Sequence, residues 1–226
     1  MPAQRPAIPI VLSPIGVLPR YWTPVQDVCM RYLCYAIVVL LLAGNPTVAG
    51  NHDAWSAFER GDYGTALQKF QELAEQGDVA AQYNLGLIYA TGKGVAPDTA
   101  ESSKWFEKAA VAGDAAAQNY LGYLMSGGKG VPQDYSAAAK WYFLAATQGH
   151  ARAQYNLGRL HYMGIGVPED YVQAYKWFSL AALQGVSYAT KGIDLVLKKM
   201  PPDDILKAKG LAANWKPHQS GGAVKQ

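Results

Sequence analysis

From Asn51 onward the apolar residues of this chain fall at helical spacing, and they do so in the same order three times over. Between residues 80 and 113, Ala81, Leu85 and Ile88 form one stripe at intervals of three and four. A polar, glycine-rich stretch from Gly92 to Asp98 then breaks the pattern, and a second stripe begins at Trp105 and Ala109. This predicts a helix over about 79–91 and another over about 99–111, with Gly92 and Gly94 free to take positive φ and Pro97 blocking continuation of the first helix. Asp98 stands where an N-cap belongs. Its spacing to Glu101, like that of Asp170 to Gln173, is that of a capping box. Gly113 closes the second helix.

The whole unit returns after 36 residues and again after another 36. Gln82, Gln118 and Gln154 share a column, as do Leu85-Gly86, Leu121-Gly122 and Leu157-Gly158. Asp98, Asp134 and Asp170 share another, then Trp105, Trp141 and Trp177, then Gly113, Gly149 and Gly185. A fixed period of this size marks a stacked array, because one helix pair cannot bury its apolar face alone. The full repeats read 78–113, 114–149 and 150–185. Residues 51–77 carry the same glycine and aspartate columns at Gly77 and Asp62 with the long loop deleted, a capping half-repeat whose first helix is expected over 53–58. After Gly185 the pattern decays into capping helices over 186–215, and 216–226 reads as a polar tail without regular structure. In the central repeat, Trp141 is expected to touch both neighbouring units.

The first 49 residues follow different rules. Residues 1–29 hold six prolines and no period. Met30-Arg31, the uncharged run from Tyr32 to Ala43, and the small residues up to Ala49 have the order of a secretory signal over 30–49. The run is too short to span a ~30 Å hydrocarbon core, which takes about 20 residues. The expectation is translation from Met30, with 1–29 a gene-model extension, and export to the periplasm or beyond; an uncleaved inner-membrane anchor is the alternative.

Together the columns A-x-x-Q-x-x-L-G-x-x-Y, G-x-G-V, D, K-W-[FY], A-A and G resemble the Sel-one-like repeat (SLR) family, a relative of the tetratricopeptide repeats. The resemblance covers 78–185 in three units. It departs where Tyr89 becomes Met125 and His161, and where Ala80 becomes Arg152 in the third copy. It implies an all-α, right-handed α-solenoid that serves as a protein-interaction scaffold, often exported in bacteria.

Composition narrows the chemistry. The net charge of +3 is too small to suggest a nucleic-acid partner, and residues 50–226 hold 17 Lys/Arg against 16 Asp/Glu. Both cysteines, Cys29 and Cys34, precede the repeats, which therefore have neither a disulfide nor a thiolate metal site. His52, His150, His161 and His218 show no ligand spacing, and the 126–130 stretch lacks the Lys-Ser/Thr step of a phosphate loop. No catalytic constellation can be assembled, and neither a metal nor a cofactor is expected. Lys104, Lys140 and Lys176 form one column, read either as a basic ladder or as a solvated face whose stems cover apolar surface.

The first helices offer a binding surface instead. Off their inward stripe lie Tyr83, Asn84 and Leu87, then Asn119, Tyr120 and Tyr123, then Tyr155, Asn156 and Arg159. Such a Tyr-, Asn- and Arg-rich composition suits a concave face that takes a protein or peptide. The competing function class is a cell-wall-directed hydrolase or peptidoglycan-binding factor.

Overall fold

The computed structural model describes residues 46–218, and all regular structure there is helical. The chain opens with α1 (Pro46–Glu59) and α2 (Tyr63–Glu75). The repeats follow as α3 (Val79–Thr91) with α4 (Thr99–Val111), α5 (Ala115–Gly127) with α6 (Tyr135–Thr147), and α7 (Ala151–Met163) with α8 (Tyr171–Leu183). Two closing helices, α9 (Ala189–Leu197) and α10 (Pro202–Ala213), both pack on α8. Consecutive helices form hairpins, and each second helix meets the first helix of the next pair, which gives an all-α repeat solenoid. The proposed extension 1–29 and most of the leader 30–49 lie outside the described residues. Helix α1 is longer than its expected core of 53–58, since no breaker intervenes before Gly61.

Local signals explain the helix ends. Asp62, Asp98, Asp134 and Asp170 each accept a backbone N–H from the first turn of a second helix. The first helices carry their own column of caps, Asp78, Asp114 and His150, the last through an imidazole nitrogen 3.2 Å from the Ala153 amide. The capping boxes close on one side only. The Asp98 amide donates to the Tyr89 carbonyl at 2.9 Å, and those of Asp134 and Asp170 reach Met125 and His161 in the same way. The donor that a capping-box Glu would satisfy is thus already taken, and Glu101 pairs with Lys104 at 2.8 Å. These amide bonds also explain how Tyr, Met and His can share a column: it is the carbonyl there that staples the loop.

The core is assembled from aromatics laid on glycines. Phe106, Tyr142 and Phe178 lie against Gly86, Gly122 and Gly158, where an added Cβ would stand 2.7–2.9 Å from ring atoms. The aromatic of each Trp-aromatic pair that is buried throughout is therefore the second. Trp105 and Trp177 are buried as well, but Trp141 is only half-buried against the Phe106–Leu121 cluster, whereas Tyr142 is 3% exposed. The anchor of the central repeat is Tyr142, because only the residue after Trp faces the helix-packing glycine.

Two features join one repeat to the next. Gln82, Gln118 and Gln154 each donate to a carbonyl at the end of the preceding hairpin, those of Ala74, Ala110 and Ala146, at 3.0–3.1 Å. The side-chain oxygens of Gln118 and Gln154 accept from Gln148 and Gln184 at 2.8 Å. The second loop glycine makes a close approach to the second helix of the unit before: a Cβ on Gly130 would stand 2.5 Å from the Thr99 carbonyl group, at φ +71°. Gly94 and Gly166 meet Tyr63 and Tyr135 in the same column.

After α10 the chain turns back onto the repeats. Trp215 packs edge-on to Trp177 with centroids 6.5 Å apart, and the His218 amide donates to the Thr147 carbonyl at 2.8 Å. Residues 216–218 follow α10 without regular structure, and the Trp215 contact and the His218 amide hold that stretch against the third and second repeats. Residues 219–226 lie outside the described residues.

Candidate binding groove

The candidate residues occupy neighbouring first helices, α3, α5 and α7, and they divide into braced and free groups. Tyr83 and Tyr120 both pack on Phe106, with centroids at 5.6 and 4.6 Å, so two repeats share one buried ring. Tyr155 packs on Phe178 at 5.5 Å and edge-on to Tyr188 at 4.4 Å. These three tyrosines are half-buried, and Leu87 joins the same apolar cluster as Tyr83 and Tyr120. Burial raises the Tyr83 phenol above its ordinary value, with the Tyr120 and Asp114 charges adding to the effect. Asn84 is half-buried on α3. In the middle repeat the order of Tyr and Asn is exchanged, and Asn119 consequently faces the next helix: the Asn156 amide donates to its oxygen at 3.2 Å. That pair is a structural tie between repeats, with Asn119 buried.

Tyr123 and Arg159 are the free members. Both are exposed, Tyr123 at 45%. The Lys129 ammonium donates to the Tyr123 hydroxyl at 2.5 Å and sits over its ring at 4.6 Å. The Arg159 guanidinium lies 5.9 Å from the Tyr155 ring centroid. Behind them the Tyr142 hydroxyl is 3.2 Å from that of Ser126. Its phenol is raised chiefly by burial, an effect opposed by the Ser126 hydrogen bond and by the positive charge of Arg159. Two cations and two tyrosine hydroxyls thus converge where α5 meets α7. Neither Lys129 nor Arg159 has an ion-pair partner among the described residues.

Sequence reasoning identified Tyr123 and Arg159 but passed over Lys129, Ser126 and Tyr142. Lys129 belongs to the loop column that also holds Lys93 and Ile165, and nothing in that column says the lysine folds back onto α5. The lysine column, by contrast, breaks into three environments. Lys104 is exposed and paired with Glu101, Lys140 is exposed, and Lys176 is half-buried over Trp177 at 4.2 Å. Burial lowers the Lys176 pKa. The three do not act as a uniform basic ladder, because the residue three positions earlier is Glu101 once, then Ala137, then Gln173.

Comparison with known proteins agrees with this architecture. The Sel1 repeat matches residues 79–114, 115–150 and 151–186. Among solved structures, a protective antigen of uropathogenic Escherichia coli strains displaying an SLR fold is 37% identical with a TM-score of 0.63, over 68% of this chain and 33% of that one. The chain therefore spans about a third of that antigen. A Sel1 repeat protein from Oxalobacter formigenes is 30% identical with a TM-score of 0.61, over 71% of this chain and 69% of its own. No curated protein matches. Sel1-repeat proteins are in general non-catalytic protein-interaction scaffolds. With three matched repeats, the helix pairs that carry them and a relative aligned over two thirds of its length, this chain belongs to the Sel1 repeat family.

Proposed function

We propose that this protein is a non-catalytic scaffold that binds a protein or peptide segment along α3, α5 and α7. The observation that carries the reading is the convergence of exposed Tyr123 and Arg159 with Lys129, on a floor of tyrosines held by Phe106 and Phe178. Tyrosines already ordered by packing lose little further freedom on binding, and an unpaired Arg beside a phenol can meet a carboxylate or a backbone carbonyl. The test is capture of a partner from an envelope extract, followed by titration against a Tyr123→Ala/Arg159→Ala double variant. Loss of at least about thirtyfold in affinity is expected, since truncating a central Tyr or Arg anchor commonly costs ~2 kcal/mol or more. Full affinity in that folded variant, with loss in Lys104→Gln/Lys140→Gln/Lys176→Gln, would move the site to the second helices.

We further propose export with a start at Met30 and cleavage before Gly50. The signal-like order of residues 30–49 supports this, and no helix among the described residues is long and apolar enough to cross a membrane. N-terminal sequencing of the envelope form should read from within a few residues of Gly50; cytoplasmic protein beginning at Met1 would refute it.

A further inference from the structure

On the second-helix side, away from the groove, a cavity of about 630 Å³ opens between α6 and α8. Its walls are Phe143 and Leu144 from α6 and Trp177 from α8; Leu157 and His161 of α7 floor it, and Val167 closes the loop side. That volume falls within the range of roughly 300–1,000 Å³ in which proteins hold small molecules, and an apolar lining with few polar groups is their usual character.

The repeat itself supplies the control that shows why the cavity lies at this junction. Phe143 shares its column with Glu107 and Ser179, so a large aromatic stands where the other copies are polar. It is 50% exposed and meets Trp177 edge-on at 6.3 Å. Leu144 stands in the place of Lys108, whose ammonium in the first repeat covers Trp105 at 3.7 Å. The second repeat has no lysine in that column, and the cation beside the Trp177 wall is Lys176, 4.2 Å from its ring centroid. The charge pattern changes as well. Lys104 is neutralised by Glu101, whereas the same two columns in the next repeat hold Lys140 and Ala137, and Lys140 has no ion-pair partner among the described residues. No carboxylate among the described residues lines the cavity, and Lys140 is its one side chain of fixed charge. On the floor, the buried His161 Nδ1 has no hydrogen-bond partner among the described residues. Burial lowers its pKa, against the pull of the Pro168 carbonyl and of Asp170 and with the help of Lys176, which keeps the imidazole neutral near pH 7.

We propose that this cavity binds a medium-chain fatty carboxylate, its hydrocarbon chain lying against the apolar wall that Phe143, Leu144 and Trp177 form together and its head group paired with Lys140. A hydrocarbon body gains from leaving water against Phe143, Leu144, Leu157 and Val167. A carboxylate is the head group that an unpaired ammonium at an apolar rim selects. A cationic amphiphile of the same length would place two positive charges together.

The probe is decanoate, titrated into the protein below its micelle concentration by calorimetry and followed by tryptophan emission, with decyltrimethylammonium as the charge-reversed counterpart. Saturable binding at one site is expected, with the cationic probe at least about tenfold weaker. Lys140→Gln should weaken decanoate about tenfold and leave decyltrimethylammonium unchanged or tighter. Phe143→Glu installs the residue that the first repeat carries in that column, so the fold should tolerate it, and it should abolish decanoate binding. The groove variant Tyr123→Ala should bind decanoate as the parent does. Absence of saturable decanoate binding by the parent protein, equal affinity for the two probes, or unchanged affinity in folded Phe143→Glu would each overturn the assignment. Because the parent protein alone decides the first two, the outcome does not depend on any variant folding.

Discussion

The glutamine ladder between repeats contains its own missing rung. Gln118 and Gln154 are satisfied at both ends, donating to a carbonyl of the hairpin before and accepting from Gln148 and Gln184, thirty residues on. Gln82 donates to the Ala74 carbonyl at 3.1 Å, but its buried oxygen has no partner among the described residues. The residue thirty positions on is Ala112, which has no donor to offer. Ala112→Gln should supply it. Satisfying a buried acceptor recovers about 1–3 kcal/mol, and ordering a glutamine side chain returns up to about 1.5–2 kcal/mol. The expected net gain is about 1 kcal/mol, equivalent to roughly 2–4 °C in Tm for a domain of this size. Ala112 is the exposed C-cap of α4, so the change disturbs no packing. Urea melts of the parent, Ala112→Gln, Gln82→Met and the double variant isolate the pair: the gain should appear with Gln82 present and vanish in the Gln82→Met background. As the reverse experiment, Gln148→Ala creates the same orphan at Gln118 and should cost about 1–3 kcal/mol. If Ala112→Gln stabilises equally in both backgrounds, or if Gln148→Ala is neutral, the ladder does not contribute as described.

Three further outcomes can be checked on the same purified protein. Tyr142→Ala should cost about 3–5 kcal/mol in chemical melts, as removal of a fully buried aromatic does, and more than Trp141→Ala, which empties a half-buried site. Gly130→Ala combines positive φ with a backbone collision against Thr99, so it should destabilise by more than about 1 kcal/mol while Gly210→Ala in α10, half-buried but with nothing near an added Cβ, stabilises. Acid should weaken the fold through histidine. Burial chiefly, with Arg152 adding to it and Asp114 opposing, lowers the His150 pKa, and the neutral ring accepts the Ala153 amide; His161 shifts the same way. The unfolded chain therefore takes up protons first. Stability is full above the unfolded value of 6.5 and falls as pH drops from there toward the lowered folded pKa. His150→Asp, which restores the cap used by Asp78 and Asp114, should flatten this acid-side dependence in thermal melts, leaving the smaller slope due to His161.

How much of this was legible beforehand follows from how far each signal reaches. Helix ends and caps depend on residues within about one turn of each other, so the positions of Asp98, Gly92 and Gly113, returning every 36 residues, were enough to place α3 and α4 and their two copies. The inward stripe was legible for the same reason, as Leu85, Leu121 and Leu157 are buried in every copy. What a single period cannot contain is the contact across a repeat junction. The exchange of Tyr and Asn in the middle repeat appears in the sequence only as a swapped pair; the fold turns it into an Asn156–Asn119 tie and a Tyr120–Phe106 stack. The preference for Tyr142 over Trp141 as anchor depends on which ring faces Gly122 across the hairpin. The capping boxes failed on one side because each aspartate amide was already bonded to the preceding helix. Three lysines in one column became a paired, an unpaired and a half-buried cation because their neighbours at other columns differ. The sequence alone determined the units and their order, since those rest on local backbone preferences. Only the tertiary structure decided which side chains share an environment, since burial and charge at a junction belong to two repeats at once.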